Sequence, residues 1–122
     1  MNRYPSIADL RLRAHERIPH FAWEYLDSGT GTDVCMRRNR EALDAVTMVP
    51  HFMKGVFQPI LSTRLFGVFY DVPFGVSPVG LTGLMWPRAE RILAVSAGKH
   101  RHPYTLSTAA TEAPETIGPL AD

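Results

Sequence analysis

The sequence predicts an α/β fold organised on a strand–helix–strand unit. Three observations carry this. A short apolar run, Phe74 to Ser77, stops at Pro78. A helical pattern runs from Arg88 to Lys99. A second extended apolar run, Tyr104 to Leu106, follows. A crossover of this length joins parallel strands, because antiparallel neighbours need only a tight turn. Both strands then end on the same edge of the sheet, and in α/β proteins that edge binds ligands. Its loops here are Ser77-Pro78-Val79-Gly80, with Gly83 beyond, and Ser107-Thr108.

Taken from the N-terminus, Ser6-Ile7-Ala8-Asp9 has the form of a helix cap answered three residues later by an acid. The helix is expected to reach about Arg17, with Ile7, Leu10 and Ala14 on one side. Pro19 opens a second helix, HFAWEYLDSG, which Gly29 is expected to end in the left-handed conformation. Phe21 and Tyr25 share one face of it and Trp23 and Leu26 another. A helix apolar on two sides is sandwiched between parts of a protein or serves as core. Thr32 or Asp33 then caps a third helix to about Ala45. Its arginines interleave with Asp33, Glu41 and Asp44, which marks a solvated face rather than a phosphate site. Residues 46–72 read as β-rich, with an extended run Val46 to Val49 and a hairpin of Leu61 to Phe66 and Phe69 to Val72 around Gly67. Pro59 and Pro73 confine their neighbours to edges or strand starts. Leu81 to Trp86 reads as a loop. Pro87 suits the first turn of the next helix, whose Ile92, Leu93, Val95 and Ser96 form a largely apolar face. Pro114 and Glu115 start a last helix of one or two turns, ending at Asp122.

Composition narrows the function. The 122 residues are 45% apolar and 20% charged, with a net charge of +1. That balance gives no electrostatic case for nucleic acid or an anionic surface. No apolar run approaches the ~18 residues of a membrane helix, and MNRYPSIADL has no signal-type apolar core. The single Cys35 excludes an internal disulfide and fits a reducing compartment. The location expected is cytoplasmic, or peripheral to the inner face of a membrane. One core fits this length, but a closed eight-stranded barrel takes ~200 or more residues.

Two loops carry candidate chemistry. In Ser77-Pro78-Val79-Gly80 and Gly83, small residues let backbone groups approach a flat ligand. The pattern is neither GxxxxGK nor GxGxxG, and an ordinary strand-to-helix turn also accounts for it. Thr105, Ser107, Thr108 and Thr111 offer hydroxyls at a strand end, with Thr105 and Ser107 on one face; capping of the next turn is the alternative. Of the five histidines, only His100 and His102 are closely spaced, and Lys99 and Arg101 between and beside them disfavour a cation. No metal site and no complete acid/base set is read in the chain.

Five segments in order, FAWEYLDSGTGTD, RRNREALD, LSTRLFG, VPFGVSPVGLTGL and PYTLSTAAT, resemble the N-terminal third of the FMN-dependent 2-hydroxy-acid dehydrogenases and oxidases. That family includes flavin L-lactate dehydrogenase, glycolate oxidase and mandelate dehydrogenase. The resemblance spans essentially the whole chain. It implies a (β/α)8 barrel with FMN at the carboxyl ends of its strands, of which residues 73–122 are the first two β/α units. Residues 1–72 are a helical lid and hairpin layer. It implies that Tyr25 contacts the substrate carboxylate, that Pro78, Val79 and Gly80 lie along the flavin, and that Ser107 hydrogen-bonds FMN. The family's histidine base, arginine clamp and flavin-side lysine have no matching motif here, so no catalytic residue is assigned. Trp86, Arg88-Ala89 and Arg101-His102 depart from the family pattern; Arg101 replaces a glycine suited to a helix end. FMN-dependent isopentenyl diphosphate isomerases fit the EYLDSG segment less well.

The expected function is FMN-dependent oxidation of a small (S)-2-hydroxy acid to the 2-oxo acid, by a protein of which this chain is an N-terminal fragment. By itself the chain is expected to be inactive and to hold FMN weakly or not at all. The complete protein is open to homo-oligomer formation. The alternative is a non-catalytic remnant or an interaction module without flavin chemistry. Two strands cannot close a barrel and leave open edges.

Overall fold

The structure is a computed structural model that describes residues 4–121. Residues 1–3 and Asp122, where the last predicted helix ends, lie outside the described residues. The chain divides into two compact units, Met1–Gln58 and Pro59–Asp122.

The first unit holds three helices. Helix α1 spans Ile7–His15 and starts with the predicted capping box: the Asp9 N–H donates to the Ser6 hydroxyl at 3.2 Å and the Ser6 N–H to Asp9 at 3.0 Å. Helix α2 spans His20–Asp27, after Pro19, whose carbonyl accepts from the Ala22 and Trp23 N–H groups at 2.9 Å. Its end differs from expectation. The chain leaves α2 through Ser28 in an extended conformation, with the Ser28 hydroxyl donating to the Glu24 carbonyl. The left-handed glycine is Gly31, at φ 68°. Gly29 instead donates its N–H to Asp33 at 2.8 Å, and a Cβ there would sit tightly, 3.3 and 3.4 Å, against Asp33 and Met36.

Ala22 and Trp23 form the small core of this unit, and His15 meets Trp23 edge-on with ring centroids 4.9 Å apart. Arg11 clasps Asp27 through two bonds of 2.6 and 2.7 Å, joining α1 to α2. Phe21, Tyr25 and Leu26 stay exposed, so only the Trp23 side of the two-faced helix is covered. Helix α3 spans Val34–Asp44 and buries no residue, as a solvated helix should. Asp33 precedes it in the left-handed region, at φ 60°. It does not cap the helix, because its carboxylate is turned back to Gly29.

The extended run expected at Val46 to Val49 does not become a strand. Residues 46–62 contain no helix or strand. A strand needs a ladder partner, and the prolines at 50 and 59 remove donors from this stretch.

In the second unit the hairpin is present and shorter than its sequence pattern. β1, Thr63–Leu65, pairs antiparallel with β2, Val68–Tyr70, in the register Thr63 to Tyr70 and Leu65 to Val68. Phe66 and Gly67, at φ 49° and 87°, form the two-residue turn. Two left-handed residues match the right-handed strand twist.

The strand–helix–strand unit follows. Its parallel pairing is one bridge, Val76 to Tyr104. The Val76 N–H donates to the Pro103 carbonyl at 2.9 Å and the Thr105 N–H to the Val76 carbonyl at 3.1 Å. Pro73, Pro78 and Pro103 lack donors, which keeps the ladder from extending. The expected loop after the first strand contains a short helical turn, α4, Thr82–Met85. Helix α5 spans Ala89–Lys99, so Pro87 lies outside it. Arg88 just before the helix is left-handed, at φ 62°, and so interrupts the turn that Pro87 was expected to begin.

The expected apolar face of α5 is also corrected. Its buried residues are Ala89, Glu90, Ala94 and Ala97, whereas Ile92 and Val95 are about half exposed. Small side chains let neighbouring elements approach closely. One of these is α6, Pro114–Ala121, which packs on α5 and supplies the buried Ile117. Arg101 after α5 is left-handed at φ 50°, the conformation a glycine would adopt freely.

Candidate flavin-binding edge

The Val76–Tyr104 bridge brings the carboxyl ends of both strands to one edge, and the loops that follow are tied there by backbone. The Leu81 N–H donates to the Ala109 carbonyl at 2.9 Å. The Thr82 hydroxyl donates back to the Val79 carbonyl at 2.8 Å, which fixes the Pro78-Val79-Gly80 segment from its far side. Pro78 and Val79 are exposed and Gly80 is half-buried. An exposed, fixed stretch of backbone with one small side chain and one glycine suits the flat face of a ring.

Ser107 is partly buried. Its hydroxyl oxygen accepts the Ala109 N–H at 3.1 Å and its carbonyl accepts the Ala110 N–H at 3.1 Å. By pattern, hydroxyls at this strand end either cap the turn or contact a ligand. For Ser107 the geometry permits both, since a hydroxyl that accepts one bond retains its proton for donation. Ser77, Pro78 and Thr105 also line an open cleft of about 430 Å³, together with Thr63, Leu65 and Phe74.

Behind the loops sits Glu90, 1% exposed. One carboxylate oxygen, Oε1, accepts three bonds: from the Gly83 N–H at 3.2 Å, the Thr111 N–H at 3.0 Å and the Thr111 hydroxyl at 2.8 Å. Burial by itself would push this carboxyl up. The bonds from Thr111, from its own N–H and from Gly83 outweigh it and hold the group below the usual carboxylate range. Tyr104 moves the other way. Burial, and then the Glu90 charge, raise its phenol. Nothing in the sequence pattern singles out Glu90, an acid in the first turn of α5, beyond its spacing: Glu90, Ala94 and Ala97 share one helix face, and two of the three are alanine.

Tyr25 belongs to the first unit. It lies on α2, 53% exposed, and its hydroxyl meets no partner among the described residues. His100 Nδ1 is taken up by the Ser96 carbonyl at 2.8 Å, and the His100 and His102 rings stack at 6.4 Å. No group of three or more His, Cys, Asp or Glu able to hold a metal occurs among the described residues. No helix there is long and apolar enough to cross a membrane.

Residues 14–122 match the family model described as FMN-dependent dehydrogenase. The chain belongs to that family. FMN is the cofactor of this family of dehydrogenases. Among its relatives, the L-lactate dehydrogenase of Pseudomonas paraeruginosa is 34% identical over 114 residues, covering 93% of this chain and 30% of that protein. The L-lactate dehydrogenase of Acinetobacter baylyi is 33% identical over 114 residues, with the same coverage. Mandelate oxidase superposes with a TM-score of 0.88 at 29% identity, over 96% of this chain and 34% of that one. A soluble mutant of the membrane-associated (S)-mandelate dehydrogenase from Pseudomonas putida does so at 0.87 and 27%, over 99% and 34%. The chain thus spans about a third of the length of the proteins it matches. The solved FMN-dependent relatives are (β/α)8-barrel flavoenzymes; the described residues form a helix-rich part with one two-stranded sheet, and no barrel closes within them.

Proposed function

We propose that this chain supplies the N-terminal flavin shelf of an enzyme that oxidises a small, lactate-like (S)-2-hydroxy acid to its 2-oxo acid. The observation that carries the reading is the tied pair of loops at the carboxyl edge of the Val76–Tyr104 bridge, within an FMN-dependent family. Residues 73–122 are the first two units of a (β/α)8 barrel, and residues 1–72 its lid and hairpin layer. The half-exposed Ile92 and Val95, which line an open cleft beside Leu120 of α6, support this, since a barrel helix has neighbours on both flanks.

When bound, FMN supplies the acceptor for the two electrons that leave the 2-carbon of the substrate. The chain's own residues hold and orient. Pro78, Val79 and Gly80 present rigid backbone to the ring. Ser107, its oxygen already engaged by the Ala109 N–H, would donate a hydrogen bond to a flavin acceptor. Tyr25 donates its hydroxyl to the substrate carboxylate. The base that takes the substrate's hydroxyl proton, the carboxylate-binding arginine and the flavin-side lysine lie on residues other than these 122. The location that fits is the cytoplasm or the inner face of a membrane, as one relative is membrane-associated.

The test is a chimera in which this chain replaces the matching third of the Pseudomonas L-lactate dehydrogenase. It is expected to bind FMN and to reduce it with a 2-hydroxy acid, and Tyr25→Phe is expected to raise KM about tenfold, the value of one bond to a charged group. A folded, flavin-loaded chimera that no 2-hydroxy acid reduces would refute the reading. The 122-residue chain alone is expected to show no turnover with lactate, glycolate or mandelate and an artificial acceptor.

A further inference from the structure

We infer that Glu90 is the positioning residue of this edge: a buried carboxylate clamp that sets the spacing of the two loops on which the flavin shelf is built. The inference rests on the shelf reading above for its link to FMN, and on geometry alone for the clamp.

Three observations converge. First, a single oxygen of Glu90 collects donors from both loops, Gly83 beyond the first strand and Thr111 beyond the second. These residues are 28 apart in sequence and share no element, so the carboxylate does what no local turn can. Second, the space around the clamp is filled. A Cβ on Gly83 would lie 2.1 Å from the Thr111 hydroxyl and 3.2 Å from Glu90 Oε2. The loops therefore have one separation at which both donors reach Oε1. Third, the clamp continues directly into the candidate ligand groups. Gly83 lies in α4, whose Thr82 hydroxyl fixes the Val79 carbonyl. On the other loop, two residues before Thr111, the Ala109 N–H donates to the Ser107 hydroxyl while the Ala109 carbonyl accepts from the Leu81 N–H. A shift at Glu90 is transmitted to the Val79 backbone on one side and the Ser107 hydroxyl on the other.

The chemistry favours a carboxylate in this role. An ionised carboxylate only accepts, which matches three donors and no acceptor around Oε1. Bonds to a charged acceptor are also the stronger kind. Glu90 Oε2 is buried without a partner. A glutamine placing its oxygen at the Oε1 position would keep all three bonds and put its amide at that unpartnered site. Glutamine is therefore the conservative replacement and alanine the disruptive one.

The experiment compares the wild-type chain with Glu90→Gln and Glu90→Ala by amide NMR, with and without millimolar FMN. Without FMN, exchange protection at Gly83 and Thr111 is expected to fall about tenfold or more in Glu90→Ala and to be retained within a few-fold in Glu90→Gln. Both amides are expected to titrate together in acid in the wild type, and neither in Glu90→Gln. Should Glu90→Ala fail to fold, the glutamine variant and the joint titration still decide the matter: amides that do not move together, or that still titrate in Glu90→Gln, overturn the clamp. With FMN, shifts at Val79, Gly80 and Ser107 are expected in the wild type and in Glu90→Gln, and are expected to be lost in a folded Glu90→Ala. Equal shifts in all three would overturn the positioning role. A folded chimera of this chain with the L-lactate dehydrogenase that takes up no FMN, with the exchange and titration results as expected, would overturn the flavin-shelf reading and uphold the clamp.

Discussion

Replacing Gly75 by alanine is expected to pull the parallel pair apart. Built on the present backbone, the new Cβ lies 2.3 Å from the Pro103 carbonyl oxygen, 2.9 Å from the Pro103 Cβ and 3.0 Å from its carbonyl carbon. The obstacle is backbone, so no side-chain rotation relieves it. Restoring ordinary contact moves the two segments apart by about an ångström. The 2.9 Å bond from Val76 to Pro103 and the 3.1 Å bond from Thr105 to Val76 then exceed hydrogen-bonding range. Two net bonds and the strain of overpacking together cost about 2–6 kcal/mol, a large part of the ~5–15 kcal/mol by which domains are stable. Gly118→Ala is the control, since its Cβ meets nothing within 4 Å. Inside α6 the same chemical change is expected to stabilise by about 0.5–1 kcal/mol. The assay is urea denaturation of the 122-residue chain followed by circular dichroism, with amide exchange read at Val76 and Thr105. A Gly75→Ala midpoint equal to the wild type, with both amides still protected, would refute the argument.

Three further outcomes are expected. Arg101 holds a left-handed backbone at φ 50°, so Arg101→Gly is expected to exceed Arg101→Ala in stability by about 0.5–1 kcal/mol in the same denaturation; both lose the Asp71 ion pair, and only glycine relieves the backbone. The carboxyls of Glu90 and Asp27 are held below their usual range, Glu90 by bonds that outweigh its burial and Asp27 mainly by its bond from Arg11. A depressed folded pKa contributes stability that is complete above the unfolded value, about 4.3 for glutamate and about 3.9 for aspartate, and is lost as pH falls through the folded one. The thermal midpoint is therefore expected to hold from pH 7 to about 5 and then fall, less steeply in Glu90→Gln; an identical fall in that variant would contradict the assignment. Ser6→Ala removes the Asp9 cap bond and is expected to cost about 0.5–2 kcal/mol, seen as lost helical signal at a given urea concentration. An unchanged unfolding curve would show that the box contributes nothing.

Sequence alone determined what local chemistry dictates. Ser6 and Asp9 announced the start of α1 because a cap is satisfied within four residues. Gly67 between two β-rich runs marked the hairpin, and the spacing of Phe74, Arg88–Lys99 and Tyr104 the parallel order, because a crossover has only one economical geometry; that Phe66 belongs to the turn rather than the strand only the structure decided. The ordered motifs gave the family, and with it FMN. What only the tertiary structure decided depends on partners distant in the chain. Val46 to Val49 has strand composition but no ladder neighbour, so propensity went unused. Ile92 and Val95 have a buried pattern, yet it is Ala94 and Ala97 that are buried, because which side of α5 is covered is set by the elements packed on it and not by its own sequence. Glu90 was legible only as an acid near a helix start. Its role appears once Gly83 and Thr111 are brought to one oxygen, an arrangement set by the whole strand–helix–strand unit rather than by any stretch of it.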